Sequence, residues 1–205
     1  MNDEREAIER QVRAAFEGGD HEGAATLSIE SYGPEILAFL ITQLGDTDAA
    51  GEVFAQFSEE FWKSLPRFEW RCSVRTWAYK LARTSASLYH RKERKHARNA
   101  PLSNASRLSQ AVARVRTATE AYRRTEVKDR FQELREQLPA EDQAVLVLRV
   151  DRGLSWLELA EVLSRADAAL DDAALKTEAA RLRKRFQLAK DRLKRMAEEE
   201  GLLES

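Results

Sequence analysis

Apolar residues recur at helical spacing along most of the chain. Between residues 48 and 64 they fall at i, i+3, i+4, i+7 and i+11, which predicts an amphipathic helix with one continuous buried stripe (Ala50, Val53, Phe54, Phe57 and Phe61). A shorter pattern predicts a helix over 3–16. A further helix is expected to begin near Gly33-Pro34, because proline is favoured in the first helical turn.

Residues 73–96 predict a basic helix with two distinct faces. The apolar pattern places its buried stripe at Val74, Trp77, Ala78, Leu81, Ser85 and Leu88. A different, exposed face is expected to collect Arg75, Thr76, Tyr79, Arg83 and His90. Cations neutralise phosphates and aromatic rings stack on exposed bases, so this face suits nucleic acid. For Trp77, at the edge of the stripe, a core role and a DNA role are equally supported.

The second half of the chain predicts a helix-turn-helix. Ser155 and Glu158 form the spacing of a capping box, which opens a short helix with the sequence WLELAEVL. The final helix is expected over 178–195, with a basic exposed face. A short capped helix, a connection and a basic helix are the parts of a helix-turn-helix, whose second helix enters the major groove.

Composition favours an all-α protein, because proline and glycine are scarce. The net charge of −1 conceals segregation: residues 1–62 carry 14 acids against 3 Lys/Arg, whereas 71–98 carry 9 Lys/Arg against one acid. Residues 176–195 carry another 9 Lys/Arg against two acids. Two separate basic segments indicate two contacts with a polyanion, although basic helical faces that are merely solvated give the same pattern.

Several classes of protein fit this sequence poorly. The single cysteine, Cys72, excludes a disulfide framework and a cysteine-based zinc site. The three histidines are scattered, and neither a phosphate-binding glycine loop nor an HExxH motif occurs, so no enzyme, metal or cofactor is expected. The polar N-terminus and the absence of an apolar run of about 20 residues predict a cytoplasmic protein without a membrane span.

Four blocks, in order, resemble extracytoplasmic-function (ECF) sigma factors, a class of the bacterial sigma-70 family. Residues 24–62 resemble the first polymerase-binding stretch, SVRTWAYKLARTSASLYHRKER resembles the "TWL-x-x-IA-R-N" helix, and LREQLPAEDQAVLVLRVDRGLSWLELAEVL resembles the start of the C-terminal domain. LRKRFQLAKDRL resembles the recognition helix. The resemblance implies two small helical domains, a region 2-like bundle and a region 4-like helix-turn-helix, joined by a flexible linker. The implied boundaries are an extension at 1–23, region 2 at 24–98, a linker at 99–125, region 4 at 126–198 and an acidic tail at 199–205.

The resemblance also implies partners and contact residues. The partners are core RNA polymerase, through its β′ coiled coil and β flap, and promoter DNA. Polymerase contacts are expected from Asp48, Glu52, Gln56 and Glu59. Contacts with the minus-ten element are expected from Arg75, Trp77, Tyr79, Lys80, Arg83, Thr84, Arg91, Lys92, Arg94 and Lys95. Contacts with the minus-thirty-five element are expected from Ser155, Thr177, Arg181, Arg183, Lys184, Arg185 and Lys190.

The chain departs from the family pattern at the start of the third helix. Where the family has acidic "D-A-E-D", this chain has Asp48-Ala49-Ala50-Gly51. Apolar packing compensates in one interpretation. In another, phosphorylation of Thr47 or Ser58 by a Ser/Thr kinase supplies the charge, as is thought for some family members without these acids, since a phosphate adds about −1.5 to −2 charges.

A second departure lies between the two helices of the helix-turn-helix. Eighteen residues separate Leu163 from Leu182, where the family has about six, so an insert is expected at about 164–177 unless the last helix begins earlier, near 171.

Alternatives to a sigma factor remain open on sequence alone. A helix-turn-helix regulator that acts on duplex DNA without polymerase accounts for the second module but not for the first. A helical scaffold accounts for neither basic segment. The sequence also leaves open whether an anti-sigma factor binds the chain.

Overall fold

A computed structural model describes residues 2–93, 112, 114–115, 130–164 and 170–202. The chain divides into two compact units, Met1–Arg123 and Arg124–Ser205. Within the described residues, regular structure consists of helices, and no strand occurs. The predicted all-α class with two small helical domains is confirmed.

Four long helices lie within residues 2–93 of the first unit. They are α1 (Asn2–Glu17), α2 (His21–Leu44), α3 (Thr47–Ser64) and α4 (Val74–Glu93). A single 3-10 turn, Leu65–Arg67, follows α3. The buried stripe predicted for α3 is confirmed, because all five of its apolar positions are 2 % exposed or less.

Helix α2 begins well before the predicted start at Gly33-Pro34. The Asp20 side chain caps its first turn by accepting the Gly23 N–H at 2.8 Å, and the helix then runs through Pro34. Proline removes one helical donor, but Gly33 and Ile36 on either side of it are buried. A Cβ at Gly33 would lie 2.7 Å from Val115, so glycine permits this close approach. Packing therefore outweighs the local signal for a helix start.

The helix predicted over 3–16, within the segment 1–23 that the resemblance implied to be an extension, is present as α1 and packs against other parts of the first unit. Val12 of α1 is fully buried, and Phe16 makes edge-to-face contacts with His21 at 4.8 Å and Trp70 at 5.4 Å between ring centroids. Trp70 has φ 57°, a left-handed conformation that is uncommon for a bulky residue. Helix α1 therefore covers the strained loop that precedes α4.

Part of the predicted linker also packs on the first unit. Val112 and Val115 are helical and at most 4 % exposed, and the Arg114 guanidinium donates to Glu30 at 2.6 Å. The rest of the predicted linker, 99–125, lies outside the described residues.

The described part of the second unit contains four helices. They are α5 (Arg130–Glu136), α6 (Ala140–Leu146), α7 (Trp156–Leu163) and α8 (Asp172–Glu199), with a π-helical turn, Val147–Asp151, directly after α6. Leu138, Leu146 and Ala189 form a core cluster, against which Phe186, Leu193 and Met196 of α8 pack.

The caps define α7 and α8. The capping box at α7 is confirmed, because the Ser155 side chain accepts the Glu158 N–H and the Glu158 carboxylate accepts the Ser155 N–H. Helix α8 begins at Asp172, capped by Asp171, so the start predicted at 178 is wrong and the earlier start near 171 is confirmed. The alanine-rich sequence before 178 is helical because two acids lie at its N-terminus, where the helix dipole favours them.

Candidate nucleic-acid and polymerase interfaces

Three residues of the α4 face that the sequence predicted to be exposed are buried, so the predicted exposure of this face is wrong for them. Arg75, Thr76 and Tyr79 are 6, 1 and 0 % exposed. The Tyr79 ring packs edge-to-face on Phe39 with 5.5 Å between centroids. The helix is rotated relative to the prediction, and Leu88 of the predicted buried stripe is 42 % exposed.

The cause of this rotation is a buried polar network at the start of α4. The Arg75 guanidinium donates two hydrogen bonds to the Glu35 carboxylate, from Nε at 2.6 Å and from Nη2 at 2.8 Å. Their side chains are only 7 and 16 % exposed. Glu9 of α1 accepts the backbone N–H groups of Val74 and Arg75, each at 3.0 Å. Two acids from other helices therefore hold Arg75 inside the unit.

Tyr32 completes this network. Its hydroxyl donates to Glu9 at 3.0 Å. Burial, and then the negative charge of Glu9, raises the pKa of the Tyr32 hydroxyl well above its usual range. The same carboxylate thus binds a hydroxyl and caps α4.

Trp77 lies in an aromatic cluster. Its ring stacks on Phe68 at 4.7 Å and contacts Phe61 at 4.8 Å between centroids. It remains half-exposed. The core role and the DNA role that the sequence supported equally are therefore compatible for this side chain.

The remaining candidates on α4 lie nearer its C-terminal half. Lys80 and Arg83 are half-buried, and Thr84 and Arg91 are exposed. The Thr84 hydroxyl donates to the Lys80 carbonyl at 2.9 Å. Lys92 lies in the last turn of α4, while Arg94 and Lys95 lie outside the described residues.

The exposed face of α3 is acidic and polar. Asp48, Glu52 and Gln56 are exposed, and the half-buried Glu59 accepts a hydrogen bond from Lys63. These four candidates for polymerase binding share one side of the helix at intervals of three and four residues. The helix N-terminus is capped by Asp46, which accepts the Asp48 N–H at 2.8 Å.

The two phosphorylation candidates differ in access. Thr47 is the first residue of α3 and is exposed. Ser58 has no exposed surface, and its hydroxyl donates to the Phe54 carbonyl at 2.8 Å. Phosphorylation of Ser58 is therefore incompatible with this fold, since a kinase needs the hydroxyl in solvent.

Three arginines of α8 are neutralised by carboxylates. Arg181 makes two hydrogen bonds to Glu178, which raise the pKa of its guanidinium. Arg185 pairs with both Glu141 and Asp142 at the start of α6, and Arg192 contacts Asp142 at 3.3 Å. Asp142 is only 7 % exposed. Arg185, assigned to DNA by sequence, thus fastens α8 to α6.

The other α8 candidates face solvent. Arg183, Lys184 and Lys190 are exposed. Thr177 is exposed too, although its hydroxyl donates to the Ala173 carbonyl at 2.9 Å. Ser155 is exposed but is engaged in the capping box, so its role in this structure is to begin α7.

Sequence analysis missed Glu9, Arg149 and Trp156. The Arg149 guanidinium donates to the Leu154 carbonyl at 2.6 Å and lies 4.8 Å from the centroid of the Trp156 ring. Arg183 lies 5.7 Å from the same ring. Trp156 follows the capping serine directly, but nothing in its sequence position signals two cationic partners from other helices.

Among the described residues, no group of three or more His, Cys, Asp or Glu side chains has an arrangement that holds a metal ion. No helix in the described part of the chain is long and apolar enough to cross a bilayer.

The first unit has an all-α architecture, in which an acidic helix, α3, packs beside a basic helix, α4. Residues 28–96, about a third of the chain, match the family model for sigma-70 region 2. The first unit is therefore similar to sigma-70 region 2 over α3, α4 and most of α2. None of the curated proteins compared with the chain matches it.

Proposed function

We propose that this chain is a sigma factor of the ECF type, which directs core RNA polymerase to specific promoters and helps to open them. The observation that carries the proposal is the region 2 match over residues 28–96, which spans most of α2 and all of α3 and α4. A second unit with the parts of a helix-turn-helix follows the first unit along the chain, and this order supports a sigma factor with two domains.

In this proposal the first unit holds polymerase and the minus-ten element. Polymerase binds the exposed side of α3, at Asp48, Glu52, Gln56 and Glu59. The minus-ten element contacts α4 from its second turn onward, at Lys80, Arg83, Thr84, Arg91 and Lys92, and the chain beyond it, at Arg94 and Lys95. The exposure of Thr84 and Arg91 supports the minus-ten surface on α4. Arg75 and Tyr79 are not part of this surface in the proposal, because they are buried.

The second unit reads the minus-thirty-five element in this proposal. Helices α7 and α8 are the two helices of the helix-turn-helix, and exposed cations of α8 meet the duplex. The acids at the start of α8, Asp171 and Asp172, are repelled by phosphate. The contact surface therefore lies in the middle of the helix, at Arg183, Lys184 and Lys190.

Regulation by phosphorylation is proposed at Thr47 alone. A phosphate on this first residue of α3 lies at the positive end of the helix dipole and adds about −1.5 to −2 charges beside Asp48. The added charge replaces acids that the family carries at this point. Thr47→Glu is expected to bind core polymerase more tightly than wild type, and Thr47→Gln, which matches its size without the charge, is the control. Equal affinity of all three proteins in a titration of labelled core contradicts the proposal.

The deciding experiment is transcription by core polymerase with the purified chain and a promoter library. A sigma factor yields transcripts with defined start sites, and these are lost when the chain is omitted. If the chain binds duplex DNA but yields no defined start sites, with and without kinase treatment, the regulator alternative is correct instead.

A further inference from the structure

The basic residues of α8 form two rows that differ in their surroundings. Residues seven apart on a helix lie about 20° apart, so they share a row. One row contains Lys176, Arg183 and Lys190, here called the open row. The other contains Arg181, Arg185 and Arg192, here called the paired row, whose successive members are four and seven residues apart and lie within about 40° of one another. The two rows flank the buried side of the helix, where Leu182 and Ala189 pack.

Each member of the paired row has a carboxylate partner. Two of the partners, Glu141 and Asp142, lie in the first turn of α6, and the third, Glu178, lies one turn earlier on α8. The Asp142 side chain is 10 % exposed, so its charge is costly to leave without Arg185 and Arg192. Binding a phosphate with Arg185 or Arg192 requires breaking pairs that join α8 to α6, and binding one with Arg181 requires breaking its pair with Glu178.

Two members of the open row, Arg183 and Lys190, have aromatic neighbours instead. Within the described residues, none of its members makes an ion pair with a carboxylate. Arg183 lies 5.7 Å from the centroid of the Trp156 ring, and Lys190 Nζ lies 5.5 Å from that of Phe186. The two rings contact each other edge-to-face at 5.5 Å. An aromatic face attracts a cation without cancelling its charge, so a phosphate still meets the full positive charge.

Arg149 adds a further cation to the same aromatic pair. It comes from the π-helical turn after α6, 4.8 Å from the centroid of Trp156, and the Leu154 carbonyl fixes its guanidinium. Two guanidinium groups from separate elements thus share one indole ring. Such an arrangement limits the freedom of both side chains before any ligand binds.

We propose that the open row together with Arg149 is the surface that contacts the phosphates of duplex DNA, and that Trp156 positions Arg183 and Arg149 for it. The paired row has a structural role. This inference rests on the proposed function. It adds Lys176 and Arg149 as contact residues and Trp156 as a positioning residue, and it keeps Arg181 and Arg185, which the sequence resemblance assigned to DNA, outside the contact surface.

A salt series on the full-length chain tests the two rows. Binding to a fluorescent 30-base-pair duplex of arbitrary sequence is measured by anisotropy. Arg183→Ala is expected to weaken binding about five- to tenfold near 0.1 M salt and to lower the slope of log affinity against log salt by about 0.9, the value for one lost phosphate contact. Arg181→Ala removes the same charge from the same helix and is expected to change affinity less than about twofold, with an unchanged slope.

A double-mutant cycle tests the positioning role of Trp156. Trp156→Leu is expected to weaken duplex binding several-fold, and the effect of adding Arg183→Ala is expected to be much smaller than in the wild-type background. Residues that act as a unit are not additive, whereas a general loss of stability adds to any other change. Trp156→Phe keeps an aromatic ring and is expected to restore most of the affinity. Circular dichroism of each variant shows that the second unit is folded.

Three outcomes overturn the inference: equal losses for Arg183→Ala and Arg181→Ala, additive effects of Trp156→Leu and Arg183→Ala, or no duplex binding by wild type at low salt. The proposed function fails differently, through the absence of defined start sites in transcription. A chain that fails to support transcription can still show the predicted difference between the two rows.

Discussion

The buried pair between Glu35 and Arg75 provides the sharpest test of the structure. Their side chains are 16 and 7 % exposed and meet through two hydrogen bonds. Replacing Glu35 by leucine removes the carboxylate and leaves the guanidinium in a site from which water is largely excluded. Because the guanidinium loses two hydrogen bonds to a carboxylate in a site that water cannot readily enter, we expect the first unit to lose stability.

The expected loss is about 3 kcal/mol, at the lower end of the range for breaking a buried pair. The lower end applies because Glu9, which accepts the Arg75 backbone N–H, keeps a negative charge nearby. The double variant Glu35→Leu with Arg75→Met removes both charges and is expected to recover most of the loss, since apolar replacements of a buried pair are often neutral.

Urea unfolding followed by tryptophan fluorescence measures these changes. In a Trp156→Phe background, the remaining three of the four tryptophans all lie in the first unit, so the signal reports on that unit. The control is Glu17→Ala, which breaks the exposed pair with Arg13 at 62 and 58 % exposure. It should change the free energy of unfolding by less than about 0.5 kcal/mol.

Two results would refute this reasoning. One is a loss for Glu35→Leu as small as that of the Glu17→Ala control. The other is a double variant that is less stable than the single variant, because this would assign the loss to packing and not to the charge that Glu35 no longer neutralises.

Three further predictions follow from single contacts. The pKa of the Tyr32 hydroxyl is raised in the folded state. The protonated hydroxyl therefore contributes fully to the stability of the folded state below the unfolded pKa of about 10, and this contribution is lost as the pH rises above that value. Tyr32→Phe should therefore lose less stability than wild type between pH 9 and pH 11 in urea titrations, and parallel losses contradict this. Position 58 is fully buried, so in thermal unfolding Ser58→Ala should cost about 1 kcal/mol and Ser58→Glu several kcal/mol. Equal melting temperatures of the two variants and wild type refute that burial. Ser155→Ala removes a helix cap worth about 1 kcal/mol, so hydrogen exchange of the α7 amides should accelerate about fivefold, and unchanged exchange argues against the capping box.

The contrast between α3 and α4 shows where sequence reasoning holds. Helix α3 follows its pattern, because its five apolar positions are large or closely packed and form one stripe. Helix α4 does not follow its pattern. A prediction from polarity places every arginine on the exposed face, and Arg75 is buried. Burial of Arg75 is favourable because two acids distant in sequence contact it. Glu35 of α2 lies 40 residues away, and Glu9 of α1 lies 66 residues away.

The second unit shows the same division. Ser155 and Glu158 lie three residues apart, so local backbone geometry alone determines the start of α7, and the capping box was predicted correctly. Which cations of α8 keep their full charge depends on Glu141, Asp142 and Trp156, which reach the helix only when the unit folds.

The sequence by itself therefore determined the all-α class, the order of the long helices, the α7 cap and the segregation of charge, because these depend on residues within one or two helical turns. Tertiary structure decided the rotation of α4, the passage of α2 through Pro34 and the division of the α8 cations into two rows. Each of these depends on a partner distant in sequence, and a buried ion pair or a close packing contact outweighs a local preference of about one kcal/mol per residue.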